Sequence, residues 1–215
     1  MDKVNLFPDK NFWNGKNVFI TGHSGFKGGW LSLWLSQLGA NVTGYSLEPN
    51  TNPSFYNACD IGSVTNSIFG NILDYKKLES SIINAKPEII IHMAAQALVL
   101  ESYKNPLDTY KTNIIGTLNI LEIIRNKSYI KAFINVTSDK CYENIEKQYS
   151  YKETDRMGGH DPYSSSKGCS ELVTSAYRLS FFNENSDKSS ITSIASARSG
   201  NVVGGGDWSA DRLIP

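Results

Sequence analysis

The chain has little cysteine: three residues in 215, Cys59, Cys141 and Cys169, with no Cys-x-x-Cys spacing. That excludes a disulfide framework and a zinc knuckle, so reduced thiols and a cytoplasmic location are expected. Histidine is as sparse. His23, His92 and His160 stand far apart without ligand spacing, and no metal is expected. No run approaches the roughly 18 apolar residues of a membrane span, and the start, Met1-Asp2-Lys3-Val4-Asn5, lacks the apolar core of a signal peptide. Neither sign of charge is in excess, since 21 Lys and Arg balance 21 Asp and Glu. Nothing therefore marks a surface for nucleic acid or membrane.

Glycine is present where it carries information. Thr21-Gly22-His23-Ser24-Gly25-Phe26-Lys27-Gly28 lies between a short apolar strand at 17–20 and an apolar-faced helix at 28–38 that Gly39 ends. Strand, glycine turn and helix form the setting in which a pyrophosphate rests on backbone N–H groups at the positive end of a helix. A Cβ at Gly22, Gly25 or Gly28 would push that ligand away or open the turn.

Downstream, strands alternate with helices. Strand 41–46, helix 74–85, strand 87–95, helix 107–125, strand 132–136, helix 162–182 and strand 191–197 are separated by polar stretches, one of them a loop at 48–57. Ile114, Leu118, Leu121 and Ile124 form the apolar stripe of the helix at 107–125. Continuous apolar strands alternating with helices predict an α/β fold, a doubly wound parallel sheet covered on both faces. The segment 183–190 reads as a mobile linker. Ligands in such sheets gather at the carboxyl ends of the strands. The glycine loop, Ala94-Ala95-Gln96, Thr137-Ser138-Asp139-Lys140 and Arg198-Ser199-Gly200-Asn201 all fall there. Tyr163 and Lys167, four apart, share one helix face. An ammonium beside a phenol favours the phenolate, which makes Tyr163 a candidate base.

These strings, with TGHSGFKGGWLSLWL, IHMAAQALV, NVTSDKCYEN, MGGHDPYSSSKGCSELV and RSGNVVGGGDWSADRLIP, resemble the extended short-chain dehydrogenase/reductase superfamily. Within it they are similar to the nucleotide-sugar 4,6-dehydratases of the CDP-glucose type, from about Trp13 to Pro215. The resemblance implies a Rossmann-like dinucleotide-binding domain over 13–197 and the beginning of a truncated substrate-binding domain over 198–215. It implies NAD as cofactor, on Gly22, His23, Gly25, Phe26, Lys27 and Gly28, on Asn71 and Ile72 beside the adenine, and on Ala94, Ala95, Gln96, Asn113, Tyr163 and Lys167. It further implies CDP-glucose as substrate, touched by Ser138, Asn201, Arg212 and Leu213, a lyase reaction supplying deoxysugars for surface polysaccharide such as lipopolysaccharide O-antigen, and a homodimer or higher homo-oligomer. Tyr163 would take the proton of the glucose 4-hydroxyl, Ser138 polarise O4, Asp139 protonate the departing 6-hydroxyl, and Lys167 bind the nicotinamide ribose.

Lys140 stands where other members carry glutamate. It would act at C5 as a base, or keep its charge and stabilise a carbanion or a phosphate. From Asn41 to Tyr75 the chain has no Lys or Arg to hold a 2′-phosphate, which favours NAD over NADP, with Lys27 the residue able to reverse this. The end of the second strand offers Ser46, and Glu48 two residues on, for the ribose. Leu100 occupies a position where relatives usually carry a basic residue. Three readings follow: the dehydratase, a nucleotide-sugar epimerase or reductase using the same Tyr163 and Lys167, and a non-catalytic NAD-binding module.

Overall fold

The computed structural model describes residues 8–183 and 192–211. Six parallel strands form one sheet in the order β3-β2-β1-β4-β5-β6. They are β1 (Asn17–Thr21), β2 (Asn41–Ser46), β3 (Asn66–Phe69), β4 (Ile89–His92), β5 (Ala132–Val136) and β6 (Ser193–Ala197). Among the described residues four helices have ten residues or more: α1 (Phe26–Gln37), α2 (Tyr75–Ala85), α3 (Gly116–Arg125) and α4 (Pro162–Phe181). The strand order reverses between β1 and β4, the point at which α/β sheets open a ligand crevice.

Alternation along the strands builds the two faces. Phe19, Ile90 and Phe133 lie in register across β1, β4 and β5 and join Leu78 and Ile82 of α2 and Ile120, Leu121, Ile123 and Ile124 of α3 in one core. Their neighbours Val18, Ile20, Ile89 and Ile91 point the other way, where Leu35 of α1 covers them. Each such buried Ile or Leu is worth about 1.5–3 kcal/mol relative to exposure. Helix starts follow their caps: Asp74 accepts from Lys77 N ahead of α2, and Asp161 accepts from Ser164 N ahead of α4, where Pro162 takes the first helical position.

Three expectations need correction, and one strand lies where none is expected. The stretch 58–73 contains β3, held by pairing with β2, although its Asn-Ser-Ile-Phe sequence carries little strand signal. The loop expected at 48–57 gives way at Phe55 to the short helix Phe55–Ala58. The fourth strand is shorter than 87–95, closing at His92. The helix expected over 107–125 is interrupted: Pro106–Tyr110 is α-helical, Lys111–Ile115 is a π-turn, and α3 follows. The extra residue of a π-turn rotates the next positions by about 100°. Hence Asn113 is buried, Ile114 and Leu118 are only half-buried, and Ile120 and Ile123 join Leu121 and Ile124 inside. Arg212, Leu213 and all of the expected linker but Asn183 lie outside the described residues.

Candidate active site

The glycine loop joins β1 to α1, and its three glycines do different work. Gly22 has φ +81°, and a Cβ there would stand 2.8 Å from Ala94 N. A Cβ on Gly28 would stand 2.0 Å from Gly22 O. Both are needed by the protein's own backbone. At Gly25, the N-cap of α1, an added Cβ would meet only Gly22 O at 3.4 Å, an ordinary contact, so the protein's own packing does not require a glycine there.

The side of the loop towards β2 is filled. The His23 ring is buried, with Nδ1 3.0 Å from Ser46 Oγ and Nε2 3.0 Å from Ser67 Oγ, and burial pushes it down to about 4. Gly44 leaves room for it, since a Cβ there would fall 2.2 Å from His23 Cγ. Ser46 accepts from Ser24 N and donates to Leu47 O, so its hydroxyl is engaged within the protein. Glu48 is exposed beyond it. Asn71 caps the following turn by accepting from Leu73 N, and Ile72 packs against Gly116.

The end of β4 is pinned to the loop through Thr21. Its Oγ1 accepts from Met93 N and Ala94 N, both at 3.1 Å, so its one proton goes to His92 Nδ1 at 2.7 Å. His92 must then carry its proton on Nε2 and donate to Thr117 Oγ1 at 3.2 Å. Burial, and secondarily the Lys167 charge, push His92 down to about 3, in keeping with a neutral ring. Gln96 follows: its N–H donates to Asn113 Oδ1 at 2.9 Å, while Asn113 Nδ2 donates to Gln96 O at 3.1 Å and to Ser166 Oγ at 2.8 Å. The π-turn thus aims Asn113 at both the loop after β4 and the helix bearing Tyr163 and Lys167.

Tyr163 and Lys167 occupy the first turns of α4, where Tyr163 N donates to Ser102 Oγ at 3.2 Å. Lys167 is 7% exposed. Burial and then the Lys27 ammonium push it down to about 8, against the opposing pull of Glu171. The helix bearing Lys167 packs against the turn after β5 and is tied through Ser166 and Asn113 to the loop after β4.

The turn after β5 begins at Ser138, which accepts from Lys140 N at 3.2 Å and donates to Asp139 Oδ1 at 3.1 Å. Ser138 is buried, whereas Asp139 and Lys140 are exposed. Asn201 is exposed three residues beyond Arg198. One arrangement escapes sequence reasoning: Arg198 Nε and Nη2 donate to the two oxygens of Glu171, at 2.9 and 3.2 Å. Its only sequence signal is the spacing of Tyr163, Lys167 and Glu171 at i, i+4 and i+8. Among the described residues no group of His, Cys, Asp and Glu is placed to hold a metal, and no helix is long and apolar enough to cross a membrane.

Comparison with known proteins agrees with this geometry. The profile of the GDP-mannose 4,6 dehydratase family matches residues 19–186. A CDP-glucose 4,6-dehydratase of Salmonella typhimurium is 54% identical over 207 residues, 96% of this chain and 58% of that protein. Among solved structures, a UDP-glucose 4-epimerase from Thermotoga maritima with UDP-glucose superposes with TM-score 0.65 at 27% identity, over 76% of this chain and 52% of that one. A dTDP-glucose 4,6-dehydratase from Bacillus anthracis in complex with NAD has the same fold, with TM-score 0.66 at 24% identity, over 78% of this chain and 49% of that one. The chain thus spans about half the length of these proteins, between 49% and 58%. With a Rossmann-like sheet, a glycine loop at its switch point and a family profile matched from β1 through α4, the chain belongs to the GDP-mannose 4,6 dehydratase family of nucleotide-sugar dehydratases.

Proposed function

We propose that this chain carries the cofactor-binding and catalytic half of an NAD-dependent CDP-glucose 4,6-dehydratase, with residues 13–197 as the dinucleotide domain and 198–215 opening the substrate domain. The observation that carries the reading is the meeting of the Ser138-Asp139 turn, the Tyr163 and Lys167 helix and the bare Gly25 at one end of the sheet. Similarity to the Salmonella protein supports CDP-glucose as substrate.

The crevice fits a dinucleotide. Gly25 leaves the space that a pyrophosphate requires, and the β2 end offers no cation for a 2′-phosphate, so NAD is favoured over NADP. When bound, NAD supplies a reversible hydride acceptor, which lets a dehydration proceed without net redox change. Tyr163 takes the proton of the 4-hydroxyl, and Ser138 donates a hydrogen bond to O4. Once C4 is a ketone the C5 proton is acidic. Asp139 gives its carboxyl proton to the C6 oxygen, which leaves as water while the C5 proton passes to Lys140 as base, or to water with the Lys140 charge stabilising the C5 carbanion or a phosphate; the hydride taken from C4 would then return to C6 and a proton to C5, restoring NAD. An epimerase would need Tyr163 and Lys167 but has no task for Asp139.

We infer also that copies of the chain pair through their helices in the cytoplasm. Leu107, Leu172 and Leu179 are 66%, 59% and 65% exposed, more than one sheet face accounts for. Such an enzyme makes 4-keto-6-deoxy sugar nucleotides, precursors of deoxysugars in surface polysaccharide such as O-antigen. The test is incubation with NAD and CDP-, dTDP-, UDP- or GDP-glucose, followed by detection of the alkali-absorbing 4-keto product. Product from CDP-glucose alone is expected, and equal turnover of all four would refute the assignment of substrate.

A further inference from the structure

Glu171 lies one helical turn beyond Lys167, and its side chain is 5% exposed. Its Oε1 accepts from Thr137 Oγ1 and from Arg198 Nε, and its Oε2 accepts from Arg198 Nη2. Arg198 is occupied on its remaining edge, where Nη1 donates to Tyr142 Oη at 2.8 Å and to the Glu153 carbonyl at 3.2 Å, and its guanidinium sits 4.9 Å over the Tyr142 ring. Burial alone would raise the Glu171 carboxyl, but the donors from Arg198, Thr137 and Ser196 outweigh it and hold it below the usual range. The pair is charged, forked and shielded.

What the pair grips is the turn bearing Asp139. Thr137, bound to Glu171, lies two residues before Asp139. Ser199, next to Arg198, accepts the Asp139 N–H at 3.0 Å. Tyr142, bound to Arg198, donates its N–H to Asp139 O at 3.2 Å. The helix also abuts this turn, because a Cβ on Gly168 would meet Cys141 O at 3.4 Å. Several ties of the Asp139 turn thus lie next to Glu171 or Arg198, and Glu171 shares its helix face with Tyr163 and Lys167.

We propose that Glu171 and Arg198 are positioning residues, a strut that sets the Ser138-Asp139 turn at a fixed place relative to Tyr163 and Lys167. The inference rests on the dehydratase reading for its consequence, since two proton-transfer groups that act on one sugar, one at the C4 oxygen and one at the C6 oxygen, must hold a constant separation. An ordinary buried ion pair would instead hold helix to sheet as a whole.

Hydrogen exchange of the folded 215-residue chain separates the two. In Arg198→Lys, which keeps the charge but cannot fork, and in Glu171→Gln, which keeps the shape but not the charge, the Asp139 amide should exchange at least about tenfold faster, while β5 and α4 amides stay within about twofold. Where one variant fails to fold, the other carries the measurement. An unchanged Asp139 amide in a folded variant, or an increase spread evenly over β5 and α4, overturns the proposal. With NAD and CDP-glucose, either variant should accumulate enzyme-bound reduced nicotinamide, with kcat down roughly tenfold and KM within about twofold, because oxidation proceeds and water loss lags. Equal slowing of both half-reactions would overturn it as well. Should the unaltered chain form neither reduced nicotinamide nor 4-keto sugar, the dehydratase reading fails while the exchange result still decides whether the strut exists.

Discussion

One methyl group added to the glycine loop should have opposite consequences at two positions three residues apart. In Gly28→Ala the new Cβ falls 2.0 Å from Gly22 O and 2.7 Å from Gly22 C, both backbone atoms that cannot swing aside. Overpacking costs about 1–3 kcal/mol when side chains can adjust, and a backbone obstacle belongs at the upper end. At about 2–4 °C per kcal/mol for a chain of this size, the melting temperature should fall by about 6–12 °C. In Gly25→Ala the Cβ meets only an ordinary contact at 3.4 Å, and the backbone already has an extended conformation that alanine adopts. An alanine N-cap costs about 1 kcal/mol or less, partly offset by the lower chain entropy of the unfolded state. Melting should shift by less than about 4 °C. Yet that methyl occupies the approach to the loop, and displacing a pyrophosphate from it should weaken NAD binding at least a hundredfold, about 2.7 kcal/mol. Thermal denaturation and calorimetric titration with NAD and NADP read both effects. The reasoning is refuted if Gly25→Ala binds NAD like the parent chain, if it melts as low as Gly28→Ala, or if the parent binds NADP more tightly than NAD.

Acid should weaken the fold through its buried neutral histidines: the unfolded chain takes up their protons below about pH 6.5 while the folded one resists until about pH 4 for His23 and about pH 3 for His92. At pH 5 each costs about 2 kcal/mol relative to pH 7, so urea unfolding of His23→Asn or His92→Asn should show a smaller loss between those pH values, and an unchanged loss would contradict the burial argument. Tyr163→Phe should abolish even reduction of bound NAD by CDP-glucose, whereas Asp139→Asn should permit that reduction and stall before water loss; identical behaviour in stopped-flow absorbance would remove one of the two from its role. Lys140→Met should slow exchange of the substrate C5 proton with deuterium oxide at saturating CDP-glucose, and unhindered exchange would leave Lys140 only a phosphate to hold. Light scattering at tens of micromolar should find a dimer that Leu172→Glu dissociates, and a monomeric parent would end the helix-pairing proposal.

The parts of the fold that announce themselves in sequence are those whose identity is local. β2 and β5 coincide with their apolar runs because turn residues bound them on both sides, and Asp74 and Asp161 mark the starts of α2 and α4 by capping them. β3 is different in kind: Asn66 and Ser67 are strand residues because Thr43 and Gly44 of β2 lie beside them. Spacing also placed the glycine loop correctly without saying where each side chain would turn. His23 sits in the middle of the loop, yet its ring is enclosed by Ser46, Ser67 and the gap at Gly44. The site follows the same rule. Tyr163 and Lys167 are four residues apart and readable as a pair, whereas Glu171 and Arg198 are 27 apart and meet only once β6 lies beside β5.

The π-turn at Lys111–Ile115 has a consequence for how this chain tolerates change. A π-turn is an α-helix holding one residue too many, so removing a single residue there would let the helix close into regular α geometry while the segments on either side keep the faces they already present. Deleting Asn113 should therefore leave Ile120, Leu121 and Ile124 seated in the core and the helix more regular than before. The same deletion would cut the tie that runs from the Gln96 loop to Ser166, one residue from Lys167. At this one position the requirements of the scaffold and of the crevice point in opposite directions, and the molecule carries the less regular helix of the two.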